Sequence, residues 1–260
     1  MKNAPFPQRS DPVGDVYYSR VASADKASDV LFCIGALLSL AVLFVEKGVH
    51  PNGYRIANLL FALAVLGLFV LGAVSRLYLT PRAEHKRRLD FFSSALSIKL
   101  THETSVKYYN NAETDPIRRT AAQLLENLHF TKEITLMMLR RERTKVAAYG
   151  VIWISCLLWQ QSDIGLVVAI SQAIFSEQIL ARYLRMEWLR ITCERLYDET
   201  YQSFASHGDA DAFRALTLNA VVAYEAAKAI AATPLSSTIF HRENVRLSTV
   251  WERIKQSLAL

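Results

Sequence analysis

Four stretches of this chain contain no charged residue: 30–45, 56–75, 146–162 and 164–176. They form two pairs, and roughly seventy residues of charged, amphipathic sequence separate one pair from the other. A helix needs roughly 20 mostly apolar residues to cross about 30 Å of hydrocarbon. The pattern therefore predicts an all-α integral membrane protein, with four transmembrane helices in two hairpins and a helical cytoplasmic bundle.

The two pairs differ in how well they fit a membrane. Stretch 56–75 is long enough to span, and stretch 30–45 spans if residues 24–29 reach the headgroups. Stretch 164–176 is short, so it spans only if the helix continues past Glu177. That carboxylate must then lie at the interface or face protein, because a carboxylate in lipid is costly. A buried or partly inserted hairpin remains an alternative for the second pair.

Lys and Arg in the flanking loops predict the orientation. Between Leu79 and Lys145 thirteen basic residues outnumber eight acidic ones, whereas the connections inside each pair carry few bases. Because basic segments tend to stay on the cytoplasmic side, both termini and the central segment are expected in the cytoplasm. A polar segment precedes the first apolar stretch, which argues against a cleavable signal peptide. The predicted divisions are a cytoplasmic N-terminal segment 1–29, a first hairpin 30–78, a cytoplasmic helical segment 79–145, a second hairpin 146–181 and cytoplasmic C-terminal helices 182–260.

The central segment is predicted to contain two helices. The chain has only nine glycines and shows no alternating β pattern with hairpin turns. Apolar residues at spacings of three and four predict a helix from Arg82 to about Tyr108. A second helix is expected to begin at Pro116, with Asp115 as its N-cap, and to run through a basic cluster into the third apolar stretch.

Three more helices are predicted towards the C-terminus. One continuous helix is expected over 164–204. Asp209 then serves as the N-cap of a helix over 210–232. The last helix is predicted to begin at 248 or 249, where Thr249 and Glu252 form a capping-box pattern.

The residues give no catalytic pattern. Six histidines are scattered without HxxxH or HExxH spacing, and the chain has no P-loop and no GxSxG. We therefore predict neither a metal site nor an enzyme. Cys33, Cys156 and Cys193 lack a CxxC spacing, so no disulfide is expected.

Basic and aromatic residues of the central segment suit an anionic nucleotide. Arginine forks bind phosphates, and tyrosine rings stack on bases. The predicted ligand-binding set is Arg87, Arg88, Tyr108, Tyr109, Asn110, Asn111, Glu126 and Asn127. Two alternatives stay open. The basic clusters at 86–88 and 140–145 can contact anionic lipid headgroups, and the polar residues can form a buried network between helices.

Polar residues also mark the fourth apolar stretch. Gln172 and Ser176 share a helix face, and Glu177 follows them. Polar residues at such depth often contact other helices or water, so these three are predicted to join subunits or line a pore. The alternative is a solvated helix end just outside a short span.

Five short motifs occur in the second two thirds of the chain. They are HKRRLDFF at 85–92, KYYNN at 107–111, ENLHFTKEITLMM at 126–138, AYEAAKA at 223–229 and VWERIK at 250–255. Together they resemble the SMODS-associated four-transmembrane effector family of bacterial cyclic-oligonucleotide anti-phage signalling systems (CBASS). The resemblance covers most of the chain after residue 80.

The resemblance implies a function. It implies an inner-membrane effector that binds a cyclic di- or trinucleotide, forms a homo-oligomer and permeabilises or disrupts the membrane, causing abortive infection. The expected partners are the lipid bilayer, the nucleotide and further copies of the chain, with no DNA or RNA polymer and no cofactor besides the activating ligand. The alternative is a membrane scaffold or protein-interaction module without nucleotide binding.

Overall fold

The computed structural model describes residues 10–45, 48–106, 108–109, 111–158, 167–168, 170–171, 177–206 and 209–260. Within these ranges the regular secondary structure is helical, and one isolated β-bridge joins Ser10 to Val106. The predicted all-α class is therefore confirmed.

The first two helices form a hairpin. Helix α1 (Ser19–Phe44) follows a π-helical turn (Gly14–Tyr18) and packs along α2 (Pro51–Val74). A methyl group added at Gly67 would lie 3.4 Å from Leu31 Cδ1, so the helices approach closely at this point. Small residues such as glycine allow helices to approach closely, which is how helices pack against each other in lipid.

The helix α2 continues without a break into the soluble bundle. A π-helical segment (Ser75–Leu79) joins it to α3 (Thr80–Leu96), and the whole helix Pro51–Leu96 has 46 residues. Its most apolar 18-residue window has a mean hydropathy of 2.5, and only 11% of that window is buried inside the protein. Among the described residues this is the one helix long and apolar enough to cross a membrane. A soluble core helix would be covered by protein, so the exposure favours membrane association.

The helix α3 is shorter than its apolar spacing predicts. It ends at Leu96, and Ser97 adopts a left-handed conformation with φ 55°. The Ser93 hydroxyl accepts a hydrogen bond from the Leu100 N–H at 3.1 Å. Such side-chain hydrogen bonds compete with the helix ladder, and the prediction of a helix to Tyr108 is therefore wrong. The described residues among 97–115 instead form a connecting segment beside α3.

The helix α4 (Pro116–Leu158) agrees with its prediction. Asp115 Oδ1 accepts the Arg118 N–H at 2.8 Å, which is the expected N-cap. The 43 residues extend about 65 Å at 1.5 Å per residue. One helix therefore connects the bundle, the basic cluster and the third apolar stretch.

Three helices complete the described chain. A π-helical segment (Glu177–Ala181) leads into α5 (Arg182–Ala205), which is followed by α6 (Ala210–Ala231) and α7 (Ser237–Leu258). The prediction for α6 is confirmed to within one residue. Most of 164–176 lies outside the described residues.

The predicted start of the last helix is wrong. The helix α7 begins at Ser237, where the Ser236 hydroxyl accepts the Ile239 N–H at 3.3 Å. Thr249 lies in the middle of this helix, and its hydroxyl donates to the Val245 carbonyl at 2.8 Å. The Ser236 cap has no glutamate or glutamine three residues later, so it lacks the capping-box signature that drew the prediction to Thr249.

Two apolar clusters hold the helices together. The larger joins α3, α4, α5 and α6 through Phe91, Leu124, Leu128, Leu189, Cys193, Leu196, Ala220, Val221, Tyr224, Ala227 and Ala231. The smaller attaches α7 to α4 through Ile134, Ile239 and Leu247. The α3 end of the long apolar helix is thus fixed in the same core as the C-terminal helices.

Candidate functional site

Arg87 on α3 is held by two tyrosine rings and two carboxylates. Its Cζ lies 4.5 Å from the centre of the Tyr108 ring and 5.5 Å from that of Tyr18. Its Nη2 donates to Asp11 Oδ2 at 2.8 Å, and its Nη1 lies 3.6 Å from Asp90 Oδ2. Nη1 is buried and makes no hydrogen bond. One donor of the fork is therefore satisfied and the other is not.

Asp90 fixes the connecting segment that carries Tyr108. It is 2% exposed, and its two oxygens accept the Ser105 N–H at 2.8 Å and the Ser105 hydroxyl at 2.7 Å. A buried carboxylate is costly unless its oxygens are paired, so this double contact stabilises the segment against α3. Tyr108 is consequently positioned over Arg87.

Asp11 brings the N-terminal segment to the same site. Burial opposes its ionisation, but the hydrogen bond and charge of Arg87 outweigh burial, and the pKa of Asp11 lies below its usual value. The backbone bridge between Ser10 and Val106 holds the adjoining chain in place, with N···O distances of 3.0 and 3.2 Å. The Asp11 carboxylate is therefore the hydrogen-bonded partner of the Arg87 guanidinium.

A second, partly buried network includes Glu84 and Arg88 of α3. Lys228 Nζ lies 2.8 Å from Glu84 Oε2 and 2.8 Å from Glu225 Oε1. Arg88 Nε donates to Glu225 Oε2 at 3.1 Å, and the Tyr18 hydroxyl donates to Glu84 Oε1 at 2.7 Å. Burial raises the pKa of the Tyr18 hydroxyl well above its usual value, and Glu84 adds to the effect, so Tyr18 stays a neutral donor. This network connects α3, α6 and the N-terminal segment.

The predicted ligand-binding residues fall in different places. Arg87 and Tyr108 are in contact, whereas Arg88 pairs with α6. Tyr109 packs edge-on against Phe91 at 5.8 Å between ring centres and belongs to the edge of the larger apolar cluster.

The remaining residues of the predicted ligand-binding set are the three asparagines and Glu126. Asn127 lies beside the buried Tyr109 hydroxyl, and Glu126 is 8% exposed on α4. Asn111 lies in the connecting segment, and Asn110 lies outside the described residues.

Of the three polar residues predicted for the fourth apolar stretch, one lies among the described residues. Gln172 and Ser176 lie outside the described residues, and Glu177 begins the π-helical segment. The Trp153 Nε1–H donates to the Ser171 hydroxyl at 2.8 Å. This contact joins the third apolar stretch to the fourth.

Several residues of the two networks were missed by the sequence reasoning. Asp11 and Tyr18 belong to a polar N-terminal segment without a pattern, and Ser105 carries no motif. Lys228 and Glu225 lie three residues apart on α6, and this spacing is a local signal for their pairing. Glu84 is 144 residues from Lys228 along the chain, so their pairing depends on α6 lying beside α3 and has no local signal.

Within the part of the chain that the structure describes, no group of three His, Cys, Asp or Glu side chains is placed to hold a metal ion. The three thiols are free, and Cys193 is buried in the larger cluster. No family model, curated protein or solved structure matches the chain.

Proposed function

We propose that this protein is a membrane effector of anti-phage defence that responds to a cyclic di- or trinucleotide. As a homo-oligomer it permeabilises or disrupts the bacterial inner membrane and causes abortive infection. The motif resemblance supplies the class of ligand. The structural observation that supports the proposal is the unbroken helix Pro51–Leu96, whose apolar part is exposed and whose α3 part carries Arg87. A ligand that moves Arg87 acts directly on the candidate membrane span.

The membrane arrangement in this proposal has four spans with both termini in the cytoplasm. The hairpin of α1 and α2, the extension of α4 through 146–158 and the Trp153 contact to Ser171 all support it. One unit of four spans has too few helices to enclose an aqueous pore, so the proposal requires an oligomer. Gln172, Ser176 and Glu177 are the proposed subunit or pore contacts.

The geometry at Arg87 suggests how the ligand engages. A phosphate would replace the Asp11 carboxylate and use both donors of the guanidinium, including the unsatisfied Nη1. The Tyr108 ring lies beside it and offers a face on which a base can stack. Displacement of Asp11 would release the N-terminal segment, whose Tyr17 and Tyr18 contact Glu103 and Glu84.

A second candidate is a membrane scaffold that binds no nucleotide. The observation that favours it is the pairing of both predicted phosphate ligands with carboxylates of the same chain, Arg87 with Asp11 and Arg88 with Glu225. In that case the two networks only tie the helices together.

Thermal unfolding of the full-length protein in detergent, with a panel of cyclic di- and trinucleotides, separates these functions. A ligand at about 100 times its Kd adds about 2.7 kcal/mol to the folded state, which corresponds to roughly 5 to 10 °C for a chain of this size. Arg87→Gln is expected to abolish the shift. Asp11→Asn is expected to tighten binding, because it weakens the internal competitor. Arg195→Gln, which removes an exposed charge on α5, is the matched control.

Dye release from liposomes then tests the effector activity. The stabilising nucleotide should trigger release from liposomes that contain the wild type and not from those that contain Arg87→Gln. If no member of the panel shifts the unfolding midpoint and none triggers release, the effector proposal fails and the scaffold is favoured.

A further inference from the structure

The outer face of α6 carries no charged residue. Over residues 215–230 the charged side chains are Glu225 and Lys228, and both are bound into the network with α3. The large side chains that face outwards are apolar and between 49% and 67% exposed: Leu216, Leu218, Val222 and Ile230. The exposed residues between them are Ala215, Asn219, Ala226 and Ala229. Helices on the surface of a soluble bundle normally present charged and polar residues to water, so this face is unlike one that stays solvated.

The outer face is large enough for a stable interface. Each half-exposed large side chain presents roughly 100 Å² and each alanine roughly 50 Å², so the face offers about 550 Å² of apolar surface, near the upper limit of ~300–600 Å² for the largest patch on a monomer. A standard interface buries about 800 Å² per partner, of which about 60%, or roughly 480 Å², is apolar. The outer face of α6 therefore supplies the apolar area that a stable dimer needs.

Contacts at both ends of α6 show that it runs antiparallel to α5. The ring centres of Phe204, at the end of α5, and Phe213, at the start of α6, lie 5.2 Å apart. At the opposite end the Arg185 Nε donates to the Ala231 carbonyl at 3.2 Å. The start of α5 therefore lies beside the end of α6.

The helix α5 in turn lies along α4. Arg118 Cζ, near the start of α4, lies 5.4 Å from the centre of the Phe204 ring. Further along α4, Arg143 Nη2 lies 2.9 Å from Glu187 Oε1, near the start of α5. Because α4 continues from Arg143 into the third apolar stretch, the start of α5 and the end of α6 are the ends nearer that stretch.

This direction of α6 excludes the bilayer as the cover of its outer face. In the membrane arrangement proposed above, Ala231 is the end of α6 nearer the lipid. Val222 is nine residues from Ala231, which places it about 14 Å further into the cytoplasm at 1.5 Å per residue, and Leu218 lies further still. The face runs along the membrane normal and points sideways, so another protein surface must cover it.

A second copy of the chain fits this uncharged face. Copies that insert in the same direction into one membrane are related by an axis along the membrane normal, and the commonest closed pair is twofold. Two α6 helices would then pack in parallel, with each residue opposite its own copy. A charge on the face would oppose an identical charge at high cost, and the outer face carries none. Leu218, Val222, Ala226 and Ile230 lie four residues apart and form a ridge of the kind that fits between the ridges of a facing helix.

We propose that the outer face of α6 joins two copies of this chain side by side, with Val222 and Ala226 at the crossing point of the two helices. The small Ala226 side chain allows the two backbones to approach closely. The direction of the twofold axis rests on the membrane arrangement proposed above, and nothing in the interface depends on nucleotide binding. The dimer adds a cytoplasmic contact to the proposed homo-oligomer.

Disulfide cross-linking of the full-length protein in native membranes tests the proposal. In a background with Cys33→Ser and Cys156→Ser, Val222→Cys and Ala226→Cys should each give cross-linked dimers on oxidation, because a disulfide requires Cα atoms within about 7 Å. Val245→Cys is the matched control, since Val245 lies on α7 and is 78% exposed. It should remain monomeric under the same oxidation.

Charge variants test whether Val222 lies opposite its own copy. Val222→Glu and Val222→Lys should each weaken dimerisation at least about tenfold, because like charges would face each other in the interface. An equimolar mixture of the two variants should restore the dimer. Light scattering in detergent measures the mass, and circular dichroism checks that each variant is folded. The same two substitutions at Val245 should leave the mass unchanged.

Two results would overturn the interface. One is the absence of cross-links in both Val222→Cys and Ala226→Cys, and the other is a mixture of the charge variants that is no more dimeric than either variant alone. The assays contain no nucleotide, so a chain that fails them but is still stabilised by a nucleotide refutes this interface and not the effector function. Release of the protein from membranes by alkaline carbonate would overturn the membrane arrangement and, with it, the parallel packing.

Discussion

Replacing Lys228 with methionine tests whether the buried network fixes α3 to the C-terminal helices. The Lys228 side chain is 15% exposed, and it lies 2.8 Å from both Glu84 and Glu225, whose side chains are 15% and 19% exposed. Methionine keeps the length and the apolar stem. It leaves two carboxylates facing each other without the ammonium between them.

The magnitude follows from the partners that remain. Removing one member of a buried ion pair costs about 3–5 kcal/mol. Glu84 keeps the Tyr18 hydroxyl and Glu225 keeps Arg88, so the lower end, about 3 kcal/mol, is expected. For a chain of this size that loss lowers the unfolding midpoint by roughly 6–12 °C.

The pH dependence of stability provides an independent test of the role of Lys228. Burial alone would lower the pKa of Lys228, but Glu84 and Glu225 outweigh it and raise the pKa above its usual value of 10.5. The stabilisation is therefore fully present below pH 10.5 and is lost as the pH rises through the raised pKa. The difference between wild type and Lys228→Met should close at alkaline pH.

Thermal unfolding monitored by circular dichroism at neutral pH measures the effect. Adding Glu84→Gln to Lys228→Met should recover about half of the loss, because one of the two uncompensated charges is removed. Arg195→Met breaks an exposed pair with Glu199 and should leave the midpoint nearly unchanged. A midpoint lowered by less than about 2 °C in Lys228→Met, or no recovery in the double variant, would refute the proposed role of the network.

Three further predictions concern the core and α7. Trp251 is 1% exposed, so Trp251→Ala should lower the free energy of unfolding by about 3–5 kcal/mol and increase hydrogen exchange over 237–258. Trp251→Phe should lower it much less. Unchanged exchange in Trp251→Ala would mean that Trp251 does not hold α7. Burial lowers the pKa of His129 below 6.5, although its hydrogen bond to the Leu247 carbonyl opposes this, so the unfolded chain takes up the proton first. Stability is then present above pH 6.5 and should fall as the pH drops below it, a loss that His129→Phe should reduce when urea unfolding is compared on the two sides of pH 6.5. Burial raises the pKa of Cys193 to about 12, and maleimide at neutral pH should label this thiol only after denaturation; rapid labelling of the native protein would contradict its placement in the core.

Local signals in the sequence predicted some elements well. Asp115 and Pro116 begin α4 as expected because a cap acts on the backbone N–H groups two or three residues away. The bounds of α6 also agree with the prediction, although the side chain of the N-cap residue Asp209 makes no capping hydrogen bond. The prediction for α7 was wrong, because the cap at Ser236 lacks the motif that favoured Thr249 and because burial of Ile239 and Leu247 against α4 stabilises the first turns. Propensity alone could not register that packing.

The candidate site was less accessible to prediction. Arg87, Tyr108 and Asn127 were chosen for their chemistry. The structure places Arg87 against the Tyr108 ring, whereas Asn127 lies beside Tyr109. Asp11 is 76 residues from Arg87 along the chain, and Glu225 is 137 residues from Arg88. No periodicity or motif connects residues at such separations, because their contact depends on how whole helices pack.

The sequence by itself determined the helical class and the position of the exposed apolar helix. Both are set within a few turns of chain, by the spacing of apolar residues and by the length of an uncharged run. Only the tertiary structure decided that the same helix carries Arg87 into the bundle, that Asp11 pairs with its guanidinium, and that Lys228 joins α3 to α6. Those outcomes depend on which buried charges must find partners once the helices have packed, and the partner of each is set by three-dimensional proximity.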